Sequence, residues 1–138
     1  MENKTIENIY LKLLKVTHLL NQNLSKLAKT YDFNSTELMI YLDIKTHPQT
    51  DLNALCDRLG LKKSAASKAI NQLIKENQII SQINENDQRK IALSHIELED
   101  KNLCKETMLK EIFKGIEKYS CNLEKIEEAL NDAIKILN

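Results

Sequence analysis

Two stretches of this 138-residue sequence gather side chains suited to gripping a polyanion. The first, LKKSAASKAINQ, spans 61–72. Lys62, Lys63 and Lys68 can pair with phosphates, and the hydroxyls of Ser64 and Ser67 can reach phosphates or base edges. Asn71 and Gln72 continue the polar side, and Ala65 adds no bulk. Small residues at a helix start let its backbone lie deep in a groove about 12 Å wide, the width of the DNA major groove. The second stretch, NENDQR, spans 84–89 and supplies Asn84, Asn86, Asp87 and Arg89, side chains suited to a groove or to the phosphate backbone. The bland alternative for both is a solvated surface, the usual fate of lysines and of polar hairpins.

Other chemistry finds little footing. Cys56, Cys104 and Cys121 are odd in number and show no CxxC spacing, so neither a disulfide framework nor a zinc finger is expected. Cys56 falls among apolar positions and reads as core. A sensing role for Cys104 or Cys121 would need exposure and a lowered thiol pKa. His18, His47 and His95 are scattered without ligand spacing, so no metal and no cofactor are expected. There is no Ser-His-Asp order and no paired carboxylate set. With only two glycines in the chain, a phosphate-cradling loop is nearly excluded. An enzyme is the weakest reading.

The elements that must position these residues follow from periodicity. Residues 5–30 read as one long helix with Ile6, Ile9, Leu13, Val16 and Leu20 on a stripe that Leu24, Leu27 and Tyr31 continue. NSTELMIYLDIKTH (34–47) reads as a second helix capped by Asn34 or Ser35. Thr50 or Asp51 caps a short third helix with Leu52, Leu55, Cys56 and Leu59 on its apolar side, and Gly60 ends it. Ser64 is expected to cap the fourth helix, whose core side is Ala66, Ala69, Ile70 and Leu73. Two short helices on a tight Gly-containing turn make a helix-turn-helix. IISQI (79–83) and KIALS (90–94) are rich in β-branched residues and read as a hairpin, the wing of a winged helix. A fifth helix over 97–119 has the stripe Leu109, Ile112, Phe113, Ile116 and Tyr119. A sixth, about 122–137, has Leu123, Ile126, Leu130, Ala133 or Ile134, and Leu137, close to a heptad seam.

The expected fold class is therefore mainly α with a small β-hairpin wing, one domain over 1–138. The winged helix-turn-helix occupies about 34–95, and dimerisation helices occupy about 1–30 and 97–138. Net charge is zero, but its distribution is not even: +3 over 1–30, −4 over 31–57, +4 over 58–96 and −3 over 97–138. A locally basic segment is what phosphate contact requires. No apolar run approaches the roughly 18 residues of a membrane span. MENKTIENIY lacks the pattern of a secretory signal, so the expected location is the cytoplasm.

The order of helix, helix, helix-turn-helix, wing and two C-terminal helices resembles the MarR family of bacterial transcription regulators, its Sar-like branch included. The likeness is sharpest in LNALCDRLGLKKSAASKAINQLIKENQI (52–79) and in NENDQRKI (84–91), which carries an Asp-x-Arg pattern. The resemblance implies a homodimer on a pseudo-palindromic DNA operator, acting as a repressor and responding to a small molecule, a metal or an oxidant. It implies that Ser64, Ala65, Ser67 and Lys68 face bases and phosphates. It also implies that Arg89 enters the minor groove while Asp87 holds its guanidinium. Departures from the family pattern are Asn77 where a glycine usually precedes the first wing strand, Ser81 where an arginine often lies, and His95-Ile96 after the second strand. Tyr10, Tyr31, Phe33 and Tyr41 either line an effector cavity or fill the core. The competing reading is a winged-helix module that docks another regulator and never touches DNA, which the neutral net charge favours.

Overall fold

The structure, a computed structural model, describes residues 2–83, 91–95, 105–118 and 122–138. Seven helices and two strands appear among them, in the order α1 (Glu2–Thr30), α2 (Ser35–Thr46), α3 (Leu52–Leu59), α4 (Lys63–Lys75), β1 (Ile79–Ile83), β2 (Ile91–His95), α5 (Lys105–Ile112), α6 (Gly115–Lys118) and α7 (Leu123–Leu137).

Three helix ends share one solution. Asp32, Gly60 and Asn77 all take left-handed φ, at 59°, 66° and 59°. Each lets the next amide reach back over the final turn: Phe33 N–H donates to Ala28 O at 2.8 Å, Leu61 to Cys56 O at 3.1 Å and Gln78 to Leu73 O at 2.9 Å. These bonds satisfy carbonyls that a helix end otherwise leaves unpaired. Asn77 is thereby explained. The position needs a left-handed residue, and asparagine is the side chain that tolerates one best after glycine.

The starts of α2 and α3 are capped by side chains. Asn34 Oδ1 accepts from Glu37 N–H at 2.8 Å and Glu37 Oε1 accepts from Asn34 N–H at 3.4 Å, a reciprocal capping box. Asp51 Oδ1 accepts from Ala54 N–H at 2.9 Å. Of the two sequence candidates at that point Asp51 is the cap, because Thr50 is engaged elsewhere.

α2 lies at the centre. Leu38, Ile40, Tyr41 and Ile44 are fully enclosed, and Leu55, Ala66, Leu73, Ile79, Leu93, Met108 and Ile112 close around them. Tyr41 packs on Phe33 with ring centroids 5.5 Å apart, and Lys45 Nζ lies 4.9 Å over its ring. β1 and β2 pair antiparallel from Ile79↔His95 to Ile83↔Ile91, one residue later in β2 than the sequence suggests. The other edge of β2 is bonded too: Leu93 N–H donates to Thr50 O at 2.7 Å and Gln49 N–H donates to Leu93 O at 2.9 Å.

The fifth helix expected over 97–119 is not continuous where it is described. α5 ends at Ile112 and α6 restarts at Gly115. Glycine is among the weakest helix formers, and Asn23 of α1 donates from Nδ2 to the terminal Ile112 carbonyl at 2.9 Å, which fixes the end there. Residues 96–104 and 119–121, including Cys104, Tyr119 and Cys121, lie outside the described residues.

Candidate nucleic-acid interface

α4 presents two sides of different chemistry. Ala66, Ala69, Ile70 and Leu73 are buried against the core. Lys62, Lys63, Ser64, Ala65, Lys68, Asn71 and Gln72 are exposed, and Ser67 is half-buried at the boundary. From Ser64 through Lys75 the exposed residues fall within an arc of about 120°, since successive residues rotate by about 100°. The helix-turn-helix thus brings the first stretch singled out by sequence onto one outward surface. Gln72 is partly occupied: its Nε2 donates to Glu76 Oε1 at 2.7 Å.

The start of α4 differs from expectation. Lys62, not Ser64, is the capping residue, and it makes no side-chain cap hydrogen bond. α4 starts two residues earlier than a Ser64 cap requires, so Ser64 lies inside the first turn. Ala66 N–H is satisfied by Lys62 O at 3.0 Å. The first-turn residues before it are exposed, and the Lys62 side chain caps none of their amides. Such amides carry the positive end of the helix dipole and suit an anionic oxygen.

A second set of contacts joins the ends of α2 and α3 to the linker between them. Arg58, in the last turn of α3, donates from Nε to Asp43 Oδ1 at 3.0 Å and from Nη2 to Asp43 Oδ2 at 2.7 Å. The same Nη2 donates to Thr50 Oγ1 at 2.6 Å. Asp43 and Thr50 are buried. The hydrogen bond to Asp43 is the main reason the Arg58 pKa lies above its ordinary value. His47 Nδ1 stands 3.2 Å from the Asp43 carbonyl and 3.5 Å from Asp43 Oδ1. Sequence reasoning missed this network. The available signal was a carboxylate inside the otherwise apolar run LMIYLDI, which needs a buried partner.

Asn84, Asn86, Asp87 and Arg89 lie outside the described residues. The hairpin that carries them is present, and its root at β1 and β2 adjoins α4 and the 47–51 linker. A cavity of about 320 Å³ opens between α1, α2, α3 and α5, lined by Leu24, Met39, Asp43, His47, Leu59 and Phe113 among others. The sequence leaves two roles open to Tyr10, Tyr31, Phe33 and Tyr41, and none of them lines this space. Phe33 and Tyr41 are core, Tyr31 is half-buried and Tyr10 is exposed on α1. Among the described residues no group of three or more His, Cys, Asp or Glu could hold a metal. No described helix is long and apolar enough to cross a membrane.

Residues 33–91, which hold α4 and the Arg58, Asp43 and Thr50 contacts, match the MarR family. They form a MarR-family domain. No curated protein matched the sequence. Solved structures agree on the fold across nearly the full length. A MarR transcriptional regulator from Methanosarcina mazei shares 17% identity at a TM-score of 0.77, covering 94% of this chain and 99% of that one. A MarR-like regulator from Bacillus cereus shares 20% at 0.70, covering 98% and 99%. Reduced AbfR bound to DNA shares 14% at 0.70, covering 99% and 96%. At these identities the likeness establishes the MarR winged helix-turn-helix fold.

Proposed function

We propose that this MarR-family protein binds duplex DNA as a homodimer and represses transcription from a pseudo-palindromic operator. The observation that carries the reading is the start of α4: an uncapped helix start flanked by Lys62 and Lys63, continuous with the exposed residues Ser64, Ala65 and Lys68. The amides and lysines grip phosphates, while Ser64, Ser67, Asn71 and Gln72 reach base edges in the major groove. The hairpin loop adds Asn84, Asn86, Asp87 and Arg89, with Arg89 in the adjoining minor groove, where negative potential favours a guanidinium. AbfR, of the same fold, has been solved on DNA.

The dimer rests on unsatisfied apolar surface. Ile6, Ile9, Leu14 and Val16 of α1 are each at least half exposed, and α7 buries none of its residues although it carries Leu123, Ile126, Leu130, Ile134 and Leu137. A second copy covers these stripes. In this division of labour the winged helix-turn-helix runs over about 34–95, and dimerisation belongs to 1–30 and 97–138. The two α4 helices then address half-sites about one helical turn apart. The cavity between reader and α1 takes a small, mainly apolar effector. The protein acts in the cytoplasm, by binding and not by catalysis.

Selection of bound duplexes from a random pool tests this. Recovery of a two-fold repeat with half-sites about 10 base pairs apart is expected. Neutral net charge favours a second reading, a winged helix that docks another protein. That reading gains if no duplex is enriched.

A further inference from the structure

We infer that Arg58 and Thr50 are positioning residues for DNA recognition, a clamp that sets the hairpin relative to α4; the inference rests on the DNA-binding reading above. The guanidinium of Arg58 ties three segments at one point: the end of α2 through Asp43, the linker through Thr50, and the end of α3 on which Arg58 itself sits. From each segment a short covalent or hydrogen-bonded step leads to a reading element. α3 passes through the Gly60 turn directly into α4. Thr50 pairs with Leu93 through its carbonyl, and Gln49 beside it receives no freedom to drift because its N–H is bonded to Leu93 O. β2 is thus held on both edges, by β1 on one side and by the clamped linker on the other.

The residue types fit the task. Only arginine offers a rigid planar fork that can satisfy both oxygens of Asp43 and still donate to a hydroxyl. Asp43 and Thr50 are buried, so water does not readily replace either partner. Gln49 is held at a left-handed φ of 64°, a conformation that persists only where its surroundings impose it. Without the Thr50 hydroxyl, the linker keeps its covalent path but loses its anchor to α3. The hairpin root then samples several angles against α4, and DNA must select the one that fits both grooves.

The full-length protein with Thr50→Val, which keeps the shape and removes the hydroxyl, tests the role against Thr50→Ser, which keeps the hydroxyl. Amide hydrogen exchange is read at Gln49 and Leu93, with Leu73 in α4 as internal reference, and affinity is read on a duplex enriched from the random pool. In Thr50→Val, exchange at Gln49 and Leu93 rises about tenfold relative to Leu73 and affinity falls by about the same factor, the scale of one charge-assisted hydrogen bond. Thr50→Ser behaves as wild type in both. Equal exchange in all three proteins overturns the clamp, and so does a uniform rise that includes Leu73. Faster exchange at Gln49 and Leu93 with unchanged affinity overturns the positioning role alone. If wild type itself enriches no duplex, the DNA-binding reading fails, and the role assigned here fails with it.

Discussion

Lys68 and Arg89 divide the work of the proposed interface, and their substitutions should fail in different ways. Lys68→Ala removes one phosphate contact, so binding weakens across all sequences and the slope of log K against log salt falls by about one. Arg89→Ala costs about 1–3 kcal/mol on the operator and relaxes discrimination at the positions it reads. Titrations at two salt concentrations separate the two. Gly60 tests the turn that aims α4. A Cβ there meets nothing within 4 Å, so Gly60→Ala carries only the left-handed backbone cost, and denaturant unfolding should show a loss of about 1–2 kcal/mol. Tyr41 gives a pH signature. Burial raises its pKa above the ordinary 10.0. The folded state therefore holds the phenol proton more tightly than the unfolded one. This contribution is intact below pH 10 and fades as pH climbs through the folded value. Tyr41→Phe keeps the ring but has no proton to lose, so its stability should decline less in alkaline titration. While the cap of α3 stayed open between Thr50 and Asp51, residue identity was legible where it followed from conformation or periodicity, as for Gly60 and the buried side of α4. Arg58 was not, because its partners Asp43 and Thr50 sit 15 and 8 positions away, and only the folded chain brings them together.

Helices are where periodicity spoke most clearly and where it also misled. The stripe of α4 predicts burial because Ala66, Ala69, Ile70 and Leu73 recur at helical spacing and are enclosed as expected. A stripe reports that a face needs a partner, not where the partner is. Leu130 and Ile126 of α7 lie on such a face and remain about half exposed in the single chain. Leu130→Glu should therefore leave the reader folded while placing a charge in the proposed dimer seam, and sedimentation should show the shift from dimer to monomer. The retained near-native unfolding of the α2–α4 core would separate this from general misfolding. The break between α5 and α6 was less visible. It depends on Asn23, 89 positions away, ending α5 at the Ile112 carbonyl. The reader's first turn was misassigned by two residues for a related reason: Ser64 has the chemistry of a cap, but the geometry of the Gly60 turn puts Lys62 there.

At the scale of the molecule, a neutral chain can still bind a polyanion because its charge is segregated. The +4 segment over 58–96 contains α3's last turn, all of α4 and the hairpin, and the acidic blocks on either side belong to other parts of the sequence. Two copies joined through α1 and α7 would present that segment twice. The reading turns on electrostatic docking of paired α4 starts, which titration of an enriched duplex over a series of salt concentrations tests most directly. The expected result is one dimer per duplex, with log K falling linearly in log salt at a slope equivalent to several phosphate contacts. Binding that is absent, or that does not change with salt, would contradict it.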